Sequence, residues 1–254
     1  MLACTPLAAA ADHFFTARNL ALGEDASGWR QVAGAVGVEP ENLLLVKQIH
    51  GATVALATRG RQGWTRPEAD VIATDDPGTA VAIQTADCVP ILLAEDTGRA
   101  VAAVHAGWRG LAMRAPIAAV DALLDRFGVR PERLIAAIGP AIGACCYEVG
   151  PEVRQAFALA GHHPHLLDRW FAPRPGGRFH LDTVAAARGQ LEGAGIPPPR
   201  IHAADLCTQS HSNVFHSYRA DGPRAGRMAA VIRPRAEAHR QDQRGARRAQ
   251  ARGV

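Results

Sequence analysis

The chain has 254 residues, of which 48% are apolar and 20% charged, and its net charge is +4. This composition is typical of a soluble globular protein, and no apolar run reaches the roughly 18–20 residues of a membrane-spanning helix, so we expect no membrane partner. The N-terminal segment lacks the basic start of a secretion signal and the cysteine count of five is odd, which predicts a cytoplasmic protein with reduced thiols.

The positive charge is concentrated at the C-terminal end of the sequence. Residues 233–254 contain seven Arg against Glu237 and Asp242, so residues 1–232 carry a net charge of about −1. A segment with that composition is typical of a disordered tail, and the remaining body is not basic. We therefore predict a single catalytic domain over residues 1–232, a disordered Arg-rich tail over 233–254, and no nucleic-acid partner.

Apolar patterns predict strands more often than helices. In chain order, the predicted strands are Leu43–His50, Thr53–Ala57, Val71–Thr74, Ala80–Thr85, Cys88–Ala94, Ala100–His105, Leu134–Ile138, Arg178–Leu181, Ile201–Cys207 and Arg227–Ile232. The predicted helices are Arg109–Phe127, Pro151–Ala160 and Asp182–Glu192, the last with Asp182 as its N-cap. Adjacent strands with irregularly interspersed helices favour an α+β fold of packed layers.

Two of the predicted strands place a thiol opposite an imidazole. The turn residues EDTG (95–98) predict a four-residue hairpin loop in which Ala94 pairs with Arg99. Cys88 then lies directly across from His105, with Cβ atoms about 4.5–5.5 Å apart. This pair could share a metal ion or act as nucleophile and base, and simple packing is the third interpretation.

A second imidazole is a candidate third member of this group. His50 ends an apolar strand-like run, and Gly51 permits a sharp turn there. Two His and one Cys from separate strand ends suit Zn²⁺ with an open fourth position. Buried structural side chains are the alternative interpretation of His50, Cys88 and His105.

The residues after His105 point to an anion. Gly107 leads into the predicted helix at Arg109, where free backbone N–H groups and a guanidinium would attract phosphate. An ordinary cap or ion pair is the alternative role of Arg109. Lys47 is a weaker candidate for binding an anion. It is singled out because it is the sole Lys in a sequence that otherwise uses Arg.

Several long motifs together carry a resemblance to a known family. They are KQIHG (47–51), ADVIATD (69–75), QTADCVPILL (84–93), VAAVHAGWRGL (101–111), IGPAIGACCYEVGPEV (138–153) and DLCTQSHSNVFHSYRADGPRAGRMAAVI (205–232). Over about Leu43 to Ile232 the sequence closely resembles the YfiH-like laccase-domain family, also described as multicopper polyphenol oxidase and as purine nucleoside phosphorylase.

The resemblance implies a fold and a chemistry. The fold would be a four-layer α/β/β/α sandwich with mixed sheets, similar to cytotoxic necrotizing factor deamidases. The activity would be phosphorolysis of adenosine, inosine and S-methyl-5'-thioadenosine, with adenosine deaminase activity besides. The family's zinc ligands match His50, Cys88 and His105, and the expected partners are purine nucleosides and phosphate, bound by a monomer.

The other site residues are assigned by chemistry. Cys88 and His105 are catalytic candidates together with Asp87, which would move the proton as water attacks C6 of adenine. Strand alternation turns Asp87 away from the site unless the chain bends there. The candidates for binding phosphate or nucleoside are Lys47, Gln48, Arg109, Tyr147, Arg219 and Arg227.

Three rival functions remain open. Cys88 with His105 as its base would give a thiol hydrolase or amidase. A copper-dependent, laccase-like oxidase is disfavoured because His163–His165 is the one His-x-His pattern, although Cu²⁺ remains a possible cofactor. A binding protein that keeps the fold is the third, because the stretch FFTARNLALGEDASG (14–28) is shorter than in the family.

The remaining cysteines are interpreted as packing residues. Cys145 and Cys146 lie in a Gly-rich loop, and Cys207 ends a predicted strand.

Overall fold

The computed structural model describes residues 1–20, 22–23, 26–60 and 63–235. The helices are α1 (Thr5–Ala8), α2 (Ala26–Val36), α3 (Trp108–Ala112), α4 (Ala115–Phe127), α5 (Pro151–Leu159), α6 (Pro164–Trp170), α7 (Thr183–Gly193) and α8 (Tyr218–Asp221). The strands are β1 (Asp12–Phe15), β2 (Leu43–Leu45), β3 (Val54–Ala57), β4 (Val71–Thr74), β5 (Ala80–Thr85), β6 (Val89–Glu95), β7 (Val101–Ala106), β8 (Leu134–Ile138), β9 (Glu148–Val149), β10 (Phe171–Arg174), β11 (Arg178–Leu181), β12 (Ile201–Ala203) and β13 (Met228–Arg233).

The strands form three sheets. The largest has the order β12-β8-β6-β7-β4-β3 and the second has the order β1-β13-β5-β2. Both are mixed, because β12 with β8, β3 with β4 and β2 with β5 are parallel while their other pairs are antiparallel. A small antiparallel sheet has the order β10-β11-β9. The α+β class with mixed sheets is confirmed.

Apolar side chains pack these elements into four layers. Val32 of α2 packs against the outer face of the four-stranded sheet. Ile83 and Leu92 lie in a second core, between the two large sheets. Leu123 of α4 and Phe157 of α5 lie in the third core, on the outer face of the six-stranded sheet. The central strands are buried on both faces, which explains their continuous apolar runs.

The predicted helix Arg109–Phe127 is wrong as a single helix, because it is broken between α3 and α4. Arg114 has a left-handed backbone with φ of 62°. Pro116 has no N–H to donate to the carbonyl of Ala112, one turn earlier. His162 Nε2 bonds that carbonyl instead, at 2.9 Å.

The predicted hairpin register is also wrong, by one residue at each end of the loop. Ala94 pairs with Val101 and Pro90 with His105, and Cys88, just before β6, lies next to Gly107. Glu95 stays in the sheet because it also pairs with β8. Each residue therefore pairs with a partner two positions further along than predicted. Because side chains alternate between faces with a period of two, each one keeps its predicted face of the sheet.

Other boundaries differ at strand ends. The strand predicted over Leu43–His50 ends at Leu45, and the one predicted over Ile201–Cys207 ends at Ala203. β13 extends to Arg233, which bonds Asp12, so the predicted boundary after residue 232 falls inside this strand. Positions 236–254 of the predicted tail lie outside the described residues. Within the described residues, no helix is long and apolar enough to cross a membrane.

Candidate metal centre

Three side chains predicted as metal ligands lie together. One donor atom each from His50, Cys88 and His105 lies within 4.8 Å of the other two. The two imidazole rings meet edge to face, with centroids 4.9 Å apart. Two ring nitrogens and one sulfur suit Zn²⁺ or a copper ion, and three protein donors leave a coordination position free.

Asp70 fixes two of these donors in place. Its carboxylate accepts backbone N–H bonds from Ile49, His50 and Gly51 at 3.2, 2.9 and 2.6 Å. It also accepts a bond of 2.8 Å from Nδ1 of His105, which leaves Nε2 of that ring for the centre. A carboxylate behind a ligating His fixes its tautomer and raises its basicity.

Asp70 is a residue of the candidate centre that sequence reasoning missed. It lies one residue before β4, inside the quoted motif ADVIATD, and is fully buried. A charged residue at the entrance of a fully buried strand was the available signal, because buried carboxylates need partners.

Two backbone conformations bring Cys88 and His50 to the centre. Asp87 has φ of 85° and His50 has φ of 59°, both in the left-handed region that is uncommon outside glycine. The chain therefore bends at Asp87. The sequence analysis had identified such a bend as the condition for the Asp87 side chain to reach the site. Gly107 leaves room for the donors, because a Cβ there would lie 2.9 Å from Cys88 Sγ.

Cys88 and His105 shift each other's pKa values in opposite directions. Burial raises the pKa of the Cys88 thiol, but hydrogen bonds from His105 and His50 outweigh burial and lower it to about 6. Burial lowers the pKa of His105, but Asp70 and Cys88 outweigh burial and raise it to about 9. At neutral pH the pair is therefore a thiolate beside an imidazolium.

The centre opens into a cavity of about 740 Å³ with a basic lining. Five basic side chains line it, and in the described part of the chain Asp87 is the single carboxylate among the lining residues. The basic residues are Lys47, Arg66, Arg109, Arg219 and Arg227. Such a lining favours an anionic ligand.

The predicted phosphate ligands differ in their availability. Arg109 is exposed, and its guanidinium lies 4.2 Å from the Trp108 ring centroid. The helix at this point, α3, has five residues, so its dipole adds little to the attraction of an anion. Lys47 is paired with Glu68 at 2.7 Å. Gln48 has both ends of its amide bonded to the backbone of Gln84.

Asp87, Tyr147 and Arg219 form a connected group on one wall of the cavity. The Asp87 carboxylate accepts bonds from the Thr208 hydroxyl at 2.5 Å and from the Arg219 N–H at 2.7 Å. The Arg219 guanidinium lies 4.9 Å from the Tyr147 ring centroid. Burial, then Cys88, raises the pKa of Tyr147 to about 12, so its hydroxyl stays protonated.

Comparisons with known proteins identify the family. Residues 26–235 match the family described as multi-copper polyphenol oxidoreductase laccase, and the chain belongs to this family. A protein of Deinococcus radiodurans named purine nucleoside phosphorylase is 38% identical over 202 residues, which are 80% of this chain and 74% of that protein. Purine nucleoside phosphorylase YfiH of Escherichia coli is 35% identical over 204 residues, 78% of this chain and 76% of its own.

A solved structure supports the same assignment. The crystal structure of Bacillus licheniformis YfiH matches with a TM-score of 0.81 and 27% identity, over 88% of this chain and 92% of that one. The predicted membership of the YfiH-like laccase-domain family is therefore confirmed. The family and the His50, Cys88 and His105 group together indicate metal binding.

Proposed function

We propose that this protein is a zinc-dependent purine nucleoside phosphorylase of adenosine, inosine and S-methyl-5'-thioadenosine, with adenosine deaminase activity. The observation that carries the proposal is the convergence of His50, Cys88 and His105 beside a cavity with five basic side chains. The names of the relatives support the reaction class. The donor set of two imidazoles and one thiolate supports Zn²⁺.

The chain's own residues hold and orient the reacting groups. His50, Cys88 and His105 would hold Zn²⁺, which when bound supplies Lewis acidity in the cavity. Asp70 keeps the His105 ring in one tautomer through the bond to Nδ1. The same carboxylate also binds the backbone around His50. The ligands are therefore held in place before substrate binds.

For phosphorolysis, the basic lining would position phosphate. Arg109 and Arg219 are the side chains best suited to bind this phosphate, because fork-shaped guanidinium groups match phosphate oxygens. A phosphate oxygen forms a bond to ribose C1' while the bond from C1' to the purine nitrogen breaks, and the departing purine takes up a proton from solvent. Tyr147 would donate a hydrogen bond to the substrate, because its hydroxyl stays protonated.

For deamination, Asp87 would move the proton. Water adds to C6 of adenosine, ammonia leaves, and a carboxylate carries a proton from the water to the departing nitrogen. Asp87 lines the cavity, with Thr208 and Arg219 fixing its two oxygens. We expect Asp87→Asn to lower the rate of deamination by about 10²–10⁴-fold, and that of phosphorolysis by less, as measured by inosine and adenine formation.

The experiment that tests the function is product analysis. The zinc-loaded protein is incubated with adenosine, with and without phosphate, and the products are separated by chromatography. We expect adenine only when phosphate is present, and inosine in both cases. Absence of every product from zinc-loaded, folded protein would refute the proposal.

A second candidate function is a thiol hydrolase. The order Asp70, His105, Cys88 is that of an orienting acid, a base and a nucleophile, with the Asp70 bond at 2.8 Å. Metal content and alkylation separate the two functions. One zinc per chain that survives gel filtration and protects Cys88 from iodoacetamide supports the phosphorylase, whereas rapid alkylation of Cys88 itself in purified, unchelated protein, located by peptide mass analysis, supports the hydrolase.

A further inference from the structure

A second group of three donors lies outside the cavity. One sulfur atom each from Cys145, Cys146 and Cys207 lies within 4.8 Å of the other two. The sulfurs of Cys145 and Cys146 are 3.5 Å apart, and the Ser210 hydroxyl lies 3.3 Å from Cys146 Sγ. We call Cys145, Cys146 and Cys207 the thiol cluster. All three are free cysteines.

The fold brings these residues together through backbone pairing. Ala141 forms a parallel bridge with Cys207, and the N–H of Thr208 donates to the carbonyl of Ala141 at 3.0 Å. Gly143 makes the space, because a Cβ there would lie 3.3 Å from both Cys145 Sγ and Cys207 Cβ. The approach of the sulfurs is therefore fixed by the chain on both sides.

The surroundings of Cys207 stabilise a thiolate. The Gly143 N–H lies 3.3 Å from its sulfur and donates to it. Burial raises the pKa of Cys207, but hydrogen bonds from Ser210 and Gly143 outweigh burial and lower it to about 6. The Ser210 hydroxyl lowers the pKa of Cys146, but burial and the neighbouring sulfurs raise it.

We propose that the thiol cluster binds one Cu⁺ ion through three thiolates. Soft thiolate ligands select Cu⁺ among biological metals, and a set of three sulfurs with a weak hydroxyl beside it lacks the fourth strong ligand of a structural zinc site. Binding forms three copper–sulfur bonds, releases the thiol protons to solvent and changes no oxidation state.

The position of the thiol cluster gives such an ion a structural effect on the cavity. Tyr147 follows Cys146 directly, and Thr208, which holds Asp87, follows Cys207 directly. An ion across the thiol cluster would join the two segments that carry these residues. The first centre and the thiol cluster are thus linked through the cavity wall while using separate donors.

The test removes the first centre and titrates the second. Cys88→Ala protein is titrated anaerobically with Cu⁺ against a competing Cu⁺ chelator, and bound copper per chain and thiolate-to-copper absorption are measured. We expect one Cu⁺ per chain. Adding Cys207→Ser should weaken binding by more than about 100-fold, beyond the loss that an outer partner of a metal ligand causes.

Matched variants keep the test decisive. Cys4→Ser in the same background removes a cysteine outside the thiol cluster and should leave copper binding unchanged. Cys145→Ser alters an exposed member of the thiol cluster. It should also weaken Cu⁺ binding, and it replaces Cys207→Ser in the test if that variant fails to fold. No bound copper in Cys88→Ala, or equal binding after loss of Cys207, would overturn the proposal.

Discussion

The two groups of three donors differ in what surrounds them more than in how many ligands they offer. The group of His50, Cys88 and His105 has a buried carboxylate behind it and a basic cavity in front of it. The thiol cluster has a serine hydroxyl and a backbone N–H for neighbours and does not line that cavity. Access for an anionic ligand, in addition to a set of donors, therefore distinguishes the proposed catalytic centre from the thiol cluster.

The largest effect should separate the two groups by activity. We expect Cys88→Ser to lower kcat/KM for adenosine phosphorolysis by about 10³-fold or more, because it removes a metal ligand worth several kcal/mol. Cys207→Ser should lower it by less than tenfold, because it acts through the positions of Tyr147 and Thr208. Steady-state kinetics of both zinc-loaded variants checks this prediction, with Cys4→Ser as the control.

Equal losses of kcat/KM in Cys88→Ser and Cys207→Ser would contradict the assignment of catalysis to the first group alone. Circular dichroism and thermal unfolding of each variant exclude a difference in folding as the cause.

A smaller effect should come from the carboxylate that only the first group has. We expect Asp70→Asn to weaken zinc binding by about 10–100-fold, because the His105 ring loses its anionic partner. Competition with a zinc chelator measures the affinity, and Asp121→Asn, at an exposed position of α4, is the matched control. Wild-type zinc affinity in folded Asp70→Asn protein would contradict the role assigned to Asp70.

The smallest effect should come from the basic lining. We expect Arg109→Gln to raise KM for phosphate about tenfold while KM for adenosine changes little, because a charged hydrogen bond at an exposed position contributes about 1.5 kcal/mol. Initial rates at varied phosphate and fixed adenosine measure the change, with the exposed Arg130→Gln as the control. An unchanged phosphate KM would place the anion elsewhere in the cavity.

Local patterns predicted the strands of the two large sheets well where both faces are buried. The bounds of β4, β5 and β8 agree with the prediction, because these strands are mostly apolar and mostly buried. Some elements outside those runs were also predicted, such as β11 and α7, but others were missed. β1 and α2 were not predicted, since a short strand and a weakly patterned helix carry little signal until they pack.

The candidate site was predictable in its ligands and less so in their supports. Cys88 and His105 were placed on one face by alternation, and an error of one residue at each end of the loop left that face unchanged. The bend at Asp87 could not be read from the sequence, because it depends on bonds to Thr208 and Arg219, which are 121 and 132 positions away.

The sequence by itself determined the layered α+β class and supplied a thiol and two imidazoles at chain positions suited to one metal centre. Hydrophobic periodicity and turn residues involve only a few neighbouring positions, so they can be recognised from the sequence alone. The tertiary structure alone decided that Asp70 organises the centre and that Cys145, Cys146 and Cys207 meet. These contacts join distant segments, and their geometry depends on how the layers pack.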